Sequence, residues 1–365
     1  NNTESTAPKF NGWWVLGGLW LVYFATNGIV FNTFPNFNPE LMVEFGWNES
    51  EVTNPTAILY FSIAFITIGM GALLDRFSAR AIMLIGCIGL LGAMVAYASI
   101  QSLSQLYGVY LLFSLFLAAC GLVPSMFILT KWFSSKRGIA VGILLMASSF
   151  GGAVFPPLAG LAIGSMGWRS TALLLTGAAA FLLLIPLWLW IRNHPRDLGQ
   201  RPDGMPPAKP AKATDAPQGV RLIEALATPR FYLLAVATGS MWFCIVGIIA
   251  HQPIYFRNDI GLSAEQLGAV TGTLFFFGLI GKVLFGALSD HFRKDRIMLL
   301  AIINLTAGSL ILRYTDGSLF QIYIYAAVYG IGFSGVFTMI QLLIADYYQG
   351  QSYGKILGVM TCVDT

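Results

Sequence analysis

The sequence predicts an all-α integral membrane protein built from two related halves. Three observations support this: only 10% of the residues are charged and 56% are hydrophobic, apolar runs recur along the chain, and one 14-residue phrase appears twice. A soluble domain carries about 25% charged residues and needs polar faces to cover its helices. The mean hydropathy of +0.70 leaves no such faces, which excludes the buried helices of a large soluble protein.

Ten apolar runs are long enough to cross about 30 Å of hydrocarbon as helices. They cover residues 13–33, 52–74, 81–100, 106–130, 139–163, 171–191, 231–254, 266–289, 297–312 and 319–344. An eleventh run begins near Gly354 and reaches the last residue, so we expect the chain to end within helix 11. The first 12 residues lack the features of a signal peptide, so the first helix is expected to stay in the protein.

A polar stretch divides these runs into two sets. Residues 192–230 are rich in Pro, Lys and Asp and predict a flexible cytoplasmic linker with a short amphipathic helix near residues 222–226. Residues 1–191 then form an N-terminal half of six helices. Residues 231–365 form an incomplete C-terminal half with helices 7 to 10 and the start of helix 11.

The basic residues predict the orientation of the helices. With the N-terminus inside, 17 of the 21 Lys and Arg residues fall in cytoplasmic segments; Arg169, Arg257 and Arg313 face the other side, and Lys282 lies inside a helix. The positive-inside rule therefore predicts a multi-pass protein of the cell membrane, expected to be a bacterial inner membrane, with a cytoplasmic N-terminus. The net charge of +4 reflects this loop asymmetry and indicates no nucleic-acid partner.

The repeated phrase indicates a duplication. GALLDRFSARAIML at residues 71–84 aligns without gaps with GALSDHFRKDRIML at residues 286–299. Each copy lies between the second and third helix of its own half, on the cytoplasmic side. Internal repeats around a central linker are typical of secondary transporters, in which one half rocks against the other.

The first copy also carries a recognisable pattern. Gly71, Leu73, Asp75, Arg76 and Arg80 form G-x-L-x-D-R-x-x-x-R, which resembles the signature of the major facilitator superfamily. The resemblance covers the whole chain. It implies two pseudo-symmetric six-helix bundles, alternating access to a central site, and twelve helices in a full member; we expect a monomer in the lipid bilayer.

The charges of this loop predict a conformational gate. Asp75 can sit at the positive N-terminal end of a helix from the other half, and Arg76 and Arg80 can pair with carboxylates or with helix C-terminal carbonyls. Such contacts would exist only when the cytoplasmic side is shut, and would favour the outward-open state. Asp290 is the matching aspartate of the second copy. The alternative is that these charges only set the topology.

Lys282 is the candidate substrate-binding residue. It is the one ionisable residue deep in the ten complete apolar runs, about 12 Å from the cytoplasmic end of its helix. An ammonium at that depth costs free energy unless it faces a cavity or a partner. Asp364, at a matching depth in helix 11, is a candidate partner. The pair either locks two helices together or binds a substrate carboxylate.

The binding alternative predicts proton coupling. A substrate carboxylate that competes for Lys282 would leave Asp364 uncompensated, which raises the pKa of that carboxyl until it takes a proton. GKVLFGALSD, residues 281–290, resembles the eighth helix of the monocarboxylate transporters and of the related oxalate/formate antiporters. In that branch a basic residue, usually Arg, holds the carboxylate. Two features differ: Gly278 stands where eukaryotic members have an acidic residue, and their first-helix Lys has no counterpart.

Other polar residues are weaker candidates. His251 is expected either to gate access and bind a carboxylate or to be a satisfied interfacial histidine. Asn32, Tyr329 and Gln341 could supply neutral hydrogen-bond donors to the cavity. The alternative is that these side chains form hydrogen bonds between helices. We interpret the cysteines as small buried hydrophobic residues. Neither a cofactor nor a metal is expected.

The sequence thus predicts a proton-coupled transporter of a small organic anion, a monocarboxylate by resemblance. An exporter of drugs or neutral metabolites and an anion exchanger remain alternatives on the same fold, as does a sensor that transports nothing. An intramembrane enzyme is disfavoured, because HExxH, GxSxG and an aspartate dyad are all missing from the sequence.

Overall fold

The structure is a computed structural model that describes residues 10–134, 136–204, 222–348 and residue 360. The regular elements of this part of the chain are all helices. The first half contains α1 (Gly12–Ala25), α2 (Asn38–Phe45), α3 (Glu49–Arg76), α4 (Ala79–Ala98), α5 (Leu103–Cys120), α6 (Leu122–Trp132) and α7 (Arg137–Leu189). The second half contains α8 (Leu222–Leu226), α9 (Pro229–Ile254), α10 (Ala264–His291), α11 (Lys294–Arg313) and α12 (Leu319–Tyr347).

The ten predicted apolar runs coincide with these helices to within a few residues. A π-helical turn (Thr26–Phe31) and a 3-10 turn (Phe34–Phe37) extend α1 towards α2. The fourth run is divided at Gly121 into α5 and α6. Runs five and six form the two parts of α7, which bends at Gly167, where a φ of +78° favours glycine.

Eight helical segments of the described chain are long and apolar enough to cross a membrane, as judged by length and composition. α7 counts once among them although it contains two spans, and the 28-residue α3 is not among them. The prediction of an all-α membrane fold is confirmed.

The bundle has two chemically different ends. We call the end with Glu40, Glu44 and Glu49 the acidic end, and the end with Arg76 and Arg80 the basic end. α3, α10 and α12 begin at the acidic end, where Asn48, Ser263 and Ser318 each accept a hydrogen bond from a backbone N–H of the first turn. These caps satisfy N–H groups that the helix itself leaves unpaired.

The two copies of the repeated phrase have the same backbone path. α3 ends before Phe77 and α10 before Phe292, and both residues are extended, with φ/ψ of −118°/163° and −125°/162°. The next residues, Ser78 and Arg293, also agree, at −62°/119° and −60°/126°. The duplication inferred from sequence is therefore visible in the turn geometry.

The first part of the predicted flexible linker is ordered, which differs from the expectation. Asp203 accepts hydrogen bonds from the backbone N–H of Ser134 and of Lys136, at 2.8 and 3.5 Å. Gln200 is buried and accepts from the N–H of Asn11 at 2.9 Å. Residues 192–204 are thus a strap fastened to the basic end of the first half, and residues 205–221 lie outside the described part.

The two halves meet closely where α7 crosses α10. Gly160 and Gly268 face one another, and a Cβ atom added at Gly268 would lie 2.4 Å from the carbonyl oxygen of Pro156 and 3.1 Å from the Cα of Gly160. Further along, the ring of Phe275 lies against Gly152. Small residues at this crossing let the backbones approach as they do in tightly packed membrane helices.

We predict that Gly268→Ala destabilises the protein by about 1–3 kcal/mol, because the added methyl group must displace backbone rather than a flexible side chain. The measurement is the thermal unfolding of the purified protein in detergent. Gly286→Ala on the same helix is the matched control, since a Cβ atom there meets nothing within 4 Å. Equal unfolding temperatures for the two variants would contradict the close crossing.

Candidate functional site

Lys282 lies between the halves. Its ammonium, carried by α10, donates to Ser148 Oγ at 3.0 Å and to the carbonyl oxygen of Leu145 at 3.3 Å, both on α7 of the first half. The ring of Phe337 on α12 lies 5.1 Å from the same nitrogen. The charged group therefore faces polar atoms and an aromatic face within the bundle.

The sequence did not single out Ser148, and it is the residue that joins two of the predicted candidates. Its hydroxyl donates to the carbonyl oxygen of Leu145 at 3.0 Å while it accepts from Lys282. Its carbonyl oxygen accepts from Asn32 Nδ2 at 3.1 Å. Asn32 and Lys282 thus approach the same residue of α7, one from each half.

Close packing holds Asn32 in place. Gly28, one helical turn earlier, lies against Gly151, and a Cβ atom at Gly28 would be 2.6 Å from the Gly151 Cα. The π-helical turn that contains Gly28 ends at Phe31, so Asn32 is the first residue beyond it. Such turns often occur at functional sites, because they redirect the side chains that follow.

The two candidates on α12 differ in position. Gln341 is half-buried and lies one helical turn beyond Phe337, on the face that carries the ring near Lys282. Tyr329 is fully buried in the second half; its hydroxyl is 3.5 Å from the carbonyl oxygen of Ile245, and its backbone packs against Gly308. Tyr329 is therefore placed as a core residue of that half.

Asp364, the predicted partner of Lys282, lies outside the described residues. The helical positions of Asp75 and Asp290 are described, but their side chains are not. Gly71 lies in open space on α3, and Arg76 is exposed at its end.

Arg80 forms a contact of the predicted type in a different place. Its guanidinium donates to the carbonyl oxygens of Leu187 and Trp188, at 3.1 and 3.0 Å, at the C-terminal end of α7. The backbone N–H of Arg80 donates to Asn193 Oδ1 at 2.8 Å. All of these partners belong to the first half or the strap. The Arg80 contact therefore does not require closure between the halves. The gate contacts are expected only when the basic end is shut, so the gate stays a prediction.

His251 pairs with a carboxylate across the two halves. Its Nδ1 lies 2.5 Å from Glu49 Oε1, at the acidic end between α9 and α3. Both side chains are about half exposed, so this pair is partly screened by solvent.

A second pair at the acidic end is more sheltered. Arg257 donates to Glu40, and these side chains are only 25% and 21% exposed. Thr271 Oγ1 lies 3.4 Å from Asn36 Oδ1 nearby, again across the halves. Ion pairs between the halves therefore close the acidic end in this structure. The sequence contains their members in separate segments and does not show that they pair.

The described residues contain no group of three or more His, Cys, Asp and Glu side chains placed to hold a metal ion. His251 pairs with Glu49. His194, in the strap, has its Nε2 atom 3.3 Å from Lys131 Nζ on α6.

Comparison with known proteins identifies the family. The model of the Major Facilitator Superfamily matches residues 19–364. The chain belongs to this superfamily. It is accordingly a multi-pass membrane transporter of small molecules and not an enzyme.

Individual relatives are distant. The uncharacterized MFS-type transporter YcxA of Bacillus subtilis is 25% identical over 97% of this chain and 85% of its own length. The probable galactarate/D-glucarate transporter GudP of the same organism is 26% identical over 73% of this chain and 64% of its own length. Among solved structures, a bacterial homolog of the human lysosomal transporter Spinster, inward-facing and unoccupied, has a TM-score of 0.74 at 18% identity, covering 98% of this chain and 80% of its own.

We predict that reversing the charge of Arg257 opens the acidic end. Arg257→Glu replaces a sheltered attraction by a repulsion, and we expect about 1.5–3 kcal/mol of closure to be lost. The measurement is disulfide cross-linking of Met42→Cys with Asn258→Cys, whose native side chains touch at 3.8 Å.

The charge swap Glu40→Arg with Arg257→Glu is the matched control, and it should restore a large part of the cross-linking. If Arg257→Glu alone cross-links as fast as the parent protein, the pair of Glu40 and Arg257 does not hold the acidic end closed.

Proposed function

We propose that this chain is a secondary active transporter of a small organic anion, with Lys282 as the residue that binds the substrate carboxylate. The observation that carries the proposal is the position of the ammonium, between α7 and α12 and within reach of both halves. An isolated charge at this depth costs about 2.5–3.5 kcal/mol, so a transporter keeps one there for a ligand or a partner.

Alternating access follows from this position. A carboxylate bound to Lys282 also lies beside Ser148 of the first half, so both halves contact the substrate. The closed acidic end is then one of two alternating arrangements, in which the site communicates with the basic end. By the positive-inside rule the basic end and the N-terminus face the cytoplasm, in an inner membrane if the source is bacterial.

Two observations support an organic anion. Within the described helices Lys282 is the one positive charge deep in the bundle, and it selects against cationic cargo. A relative carries the name of a galactarate/D-glucarate transporter. We retain a monocarboxylate as the finer assignment, since one ammonium matches one carboxylate. A lysine binds as a point charge and does not impose the bidentate geometry of an arginine.

We predict that a carboxylate stabilises the purified protein and that Lys282→Ala abolishes this effect. The ammonium–carboxylate hydrogen bond contributes about 1.5–3 kcal/mol, so affinity should fall by about 10- to 100-fold. The measurement is thermal unfolding against a panel with lactate, D-galacturonate and D-glucarate.

Arg313→Ala, which removes the same charge at the acidic end, is the control and should bind as the parent protein does. Stabilisation by neutral or cationic compounds, and by no carboxylate, would favour the drug or metabolite exporter instead.

Proton coupling is the second part of the proposal. Asp364 would take up the proton when the substrate occupies Lys282, so proton and anion would cross together. We expect uptake of a stabilising carboxylate into vesicles to alkalinise the medium outside. Asp364→Asn should abolish this pH change and preserve exchange of internal for external substrate. Uptake by the parent protein without a pH change would instead identify an anion exchanger.

A further inference from the structure

We propose that the substrate carries an aromatic ring beside its carboxylate, and that Trp242 and Phe337 are the specificity-determining residues that receive this ring. The inference rests on the proposed function and names the substrate class of the same site. Its starting point is the side of the Lys282 ammonium that faces the second half, where the ring of Phe337 lies 5.1 Å from the nitrogen.

Phe337 belongs to a continuous set of four rings, which we call the aromatic wall: Trp242, Phe275, Phe333 and Phe337. Trp242 on α9 meets the rings of Phe337 and Phe333 on α12 edge-on, at centroid distances of 5.7 and 6.4 Å. Phe333 in turn meets Phe275 on α10 at 6.1 Å. The ring of Phe275 lies against Gly152 of α7. The wall is therefore built by three helices of the second half and faces the first half.

The aromatic wall has a packed part and an open part. Phe275 and Phe333 are buried, whereas Trp242 and Phe337 are half-buried. The next residue of α9, Phe243, is 82% exposed on the outer surface, and successive helix residues point about 100° apart. Trp242 is instead turned towards the rings of α12. Packing accounts for the buried pair, and the half-buried pair keeps surface for a ligand.

The spacing fits a ring that is joined to the carboxyl group directly or through one carbon. An ammonium and a carboxylate oxygen in a hydrogen bond lie about 2.7–2.9 Å apart. Aromatic rings attract one another, edge-to-face or offset, at centroid distances of about 4.5–7 Å. Since Phe337 lies 5.1 Å from the Lys282 nitrogen, a carboxylate bound there places its own ring within this range of the wall.

A sugar acid fits the aromatic wall less well. Hydroxyl groups turned towards aromatic faces lose their hydrogen bonds to water, and each loss costs binding free energy. The polar groups that contact Lys282, the hydroxyl of Ser148 and the carbonyl oxygen of Leu145, lie on the opposite side, on α7. The site therefore favours an aromatic monocarboxylate over a polyhydroxylated one.

The test compares three carboxylates by isothermal titration of the purified protein in detergent: phenylacetate, acetate and D-galacturonate. Acetate has the carboxylate without the ring. We expect phenylacetate to bind at least about tenfold more tightly than either of the others, because its ring is buried against other rings. If phenylacetate binds no more tightly than acetate, the inference is overturned.

Variants of the half-buried pair locate the effect. Trp242→Ala should weaken phenylacetate binding about tenfold and leave acetate binding unchanged, which also shows that the variant is folded. Trp242→Phe keeps a ring and should keep most of the preference, and Phe337→Leu should lose it as Trp242→Ala does. Phe243→Ala is the matched control, since it removes a ring from the outer surface, and should bind as the parent protein does. A full preference for phenylacetate in both Trp242→Ala and Phe337→Leu would contradict the assignment of these residues.

Phenylacetamide, which has the ring without the charge, separates this inference from the proposed function. If phenylacetamide binds, depends on Trp242, and no carboxylate binds, the anion assignment fails and the ring site stands. If carboxylates bind through Lys282 with no preference for a ring, the proposed function stands and this inference fails.

Discussion

A positive charge inside an apolar bundle is the constraint on which the rest of this structure depends. The Lys282 ammonium must have acceptors, and the fold supplies them from the opposite half through Leu145 and Ser148. The same two helices meet at the glycine crossing of Gly160 and Gly268, where small residues let the backbones approach. Helix packing and the electrostatics of the site therefore meet on one pair of helices, α7 and α10.

Two contrasting kinds of contact join the halves, beside the hydrogen bonds of Lys282 and Thr271. At the crossing they are short-range and apolar, so they tolerate little displacement. At the acidic end they are ion pairs, Glu40 with Arg257 and Glu49 with His251, which water can replace when the end opens. A transporter needs both kinds, because a close-packed pivot keeps the halves aligned while solvent-replaceable contacts let one end separate.

The sequence predicted the helices well and their partners less well. Hydropathy and length decide whether a segment crosses a membrane, so the ten apolar runs and the duplicated turn were readable from composition and spacing. The pairing of Arg257 with Glu40 depends on how two distant segments meet, and no local pattern encodes that meeting. Ser148 was missed for a related reason, since a serine in an apolar helix resembles many others until its neighbour is known.

The strap formed by residues 192–204 changes how the connection between the halves should be regarded. Since Gln200 and Asp203 are bound to the first half, residues 192–204 belong to that half although their polar composition is that of a linker. The strap therefore travels with the first half, as a part of it, whenever the two halves move relative to each other.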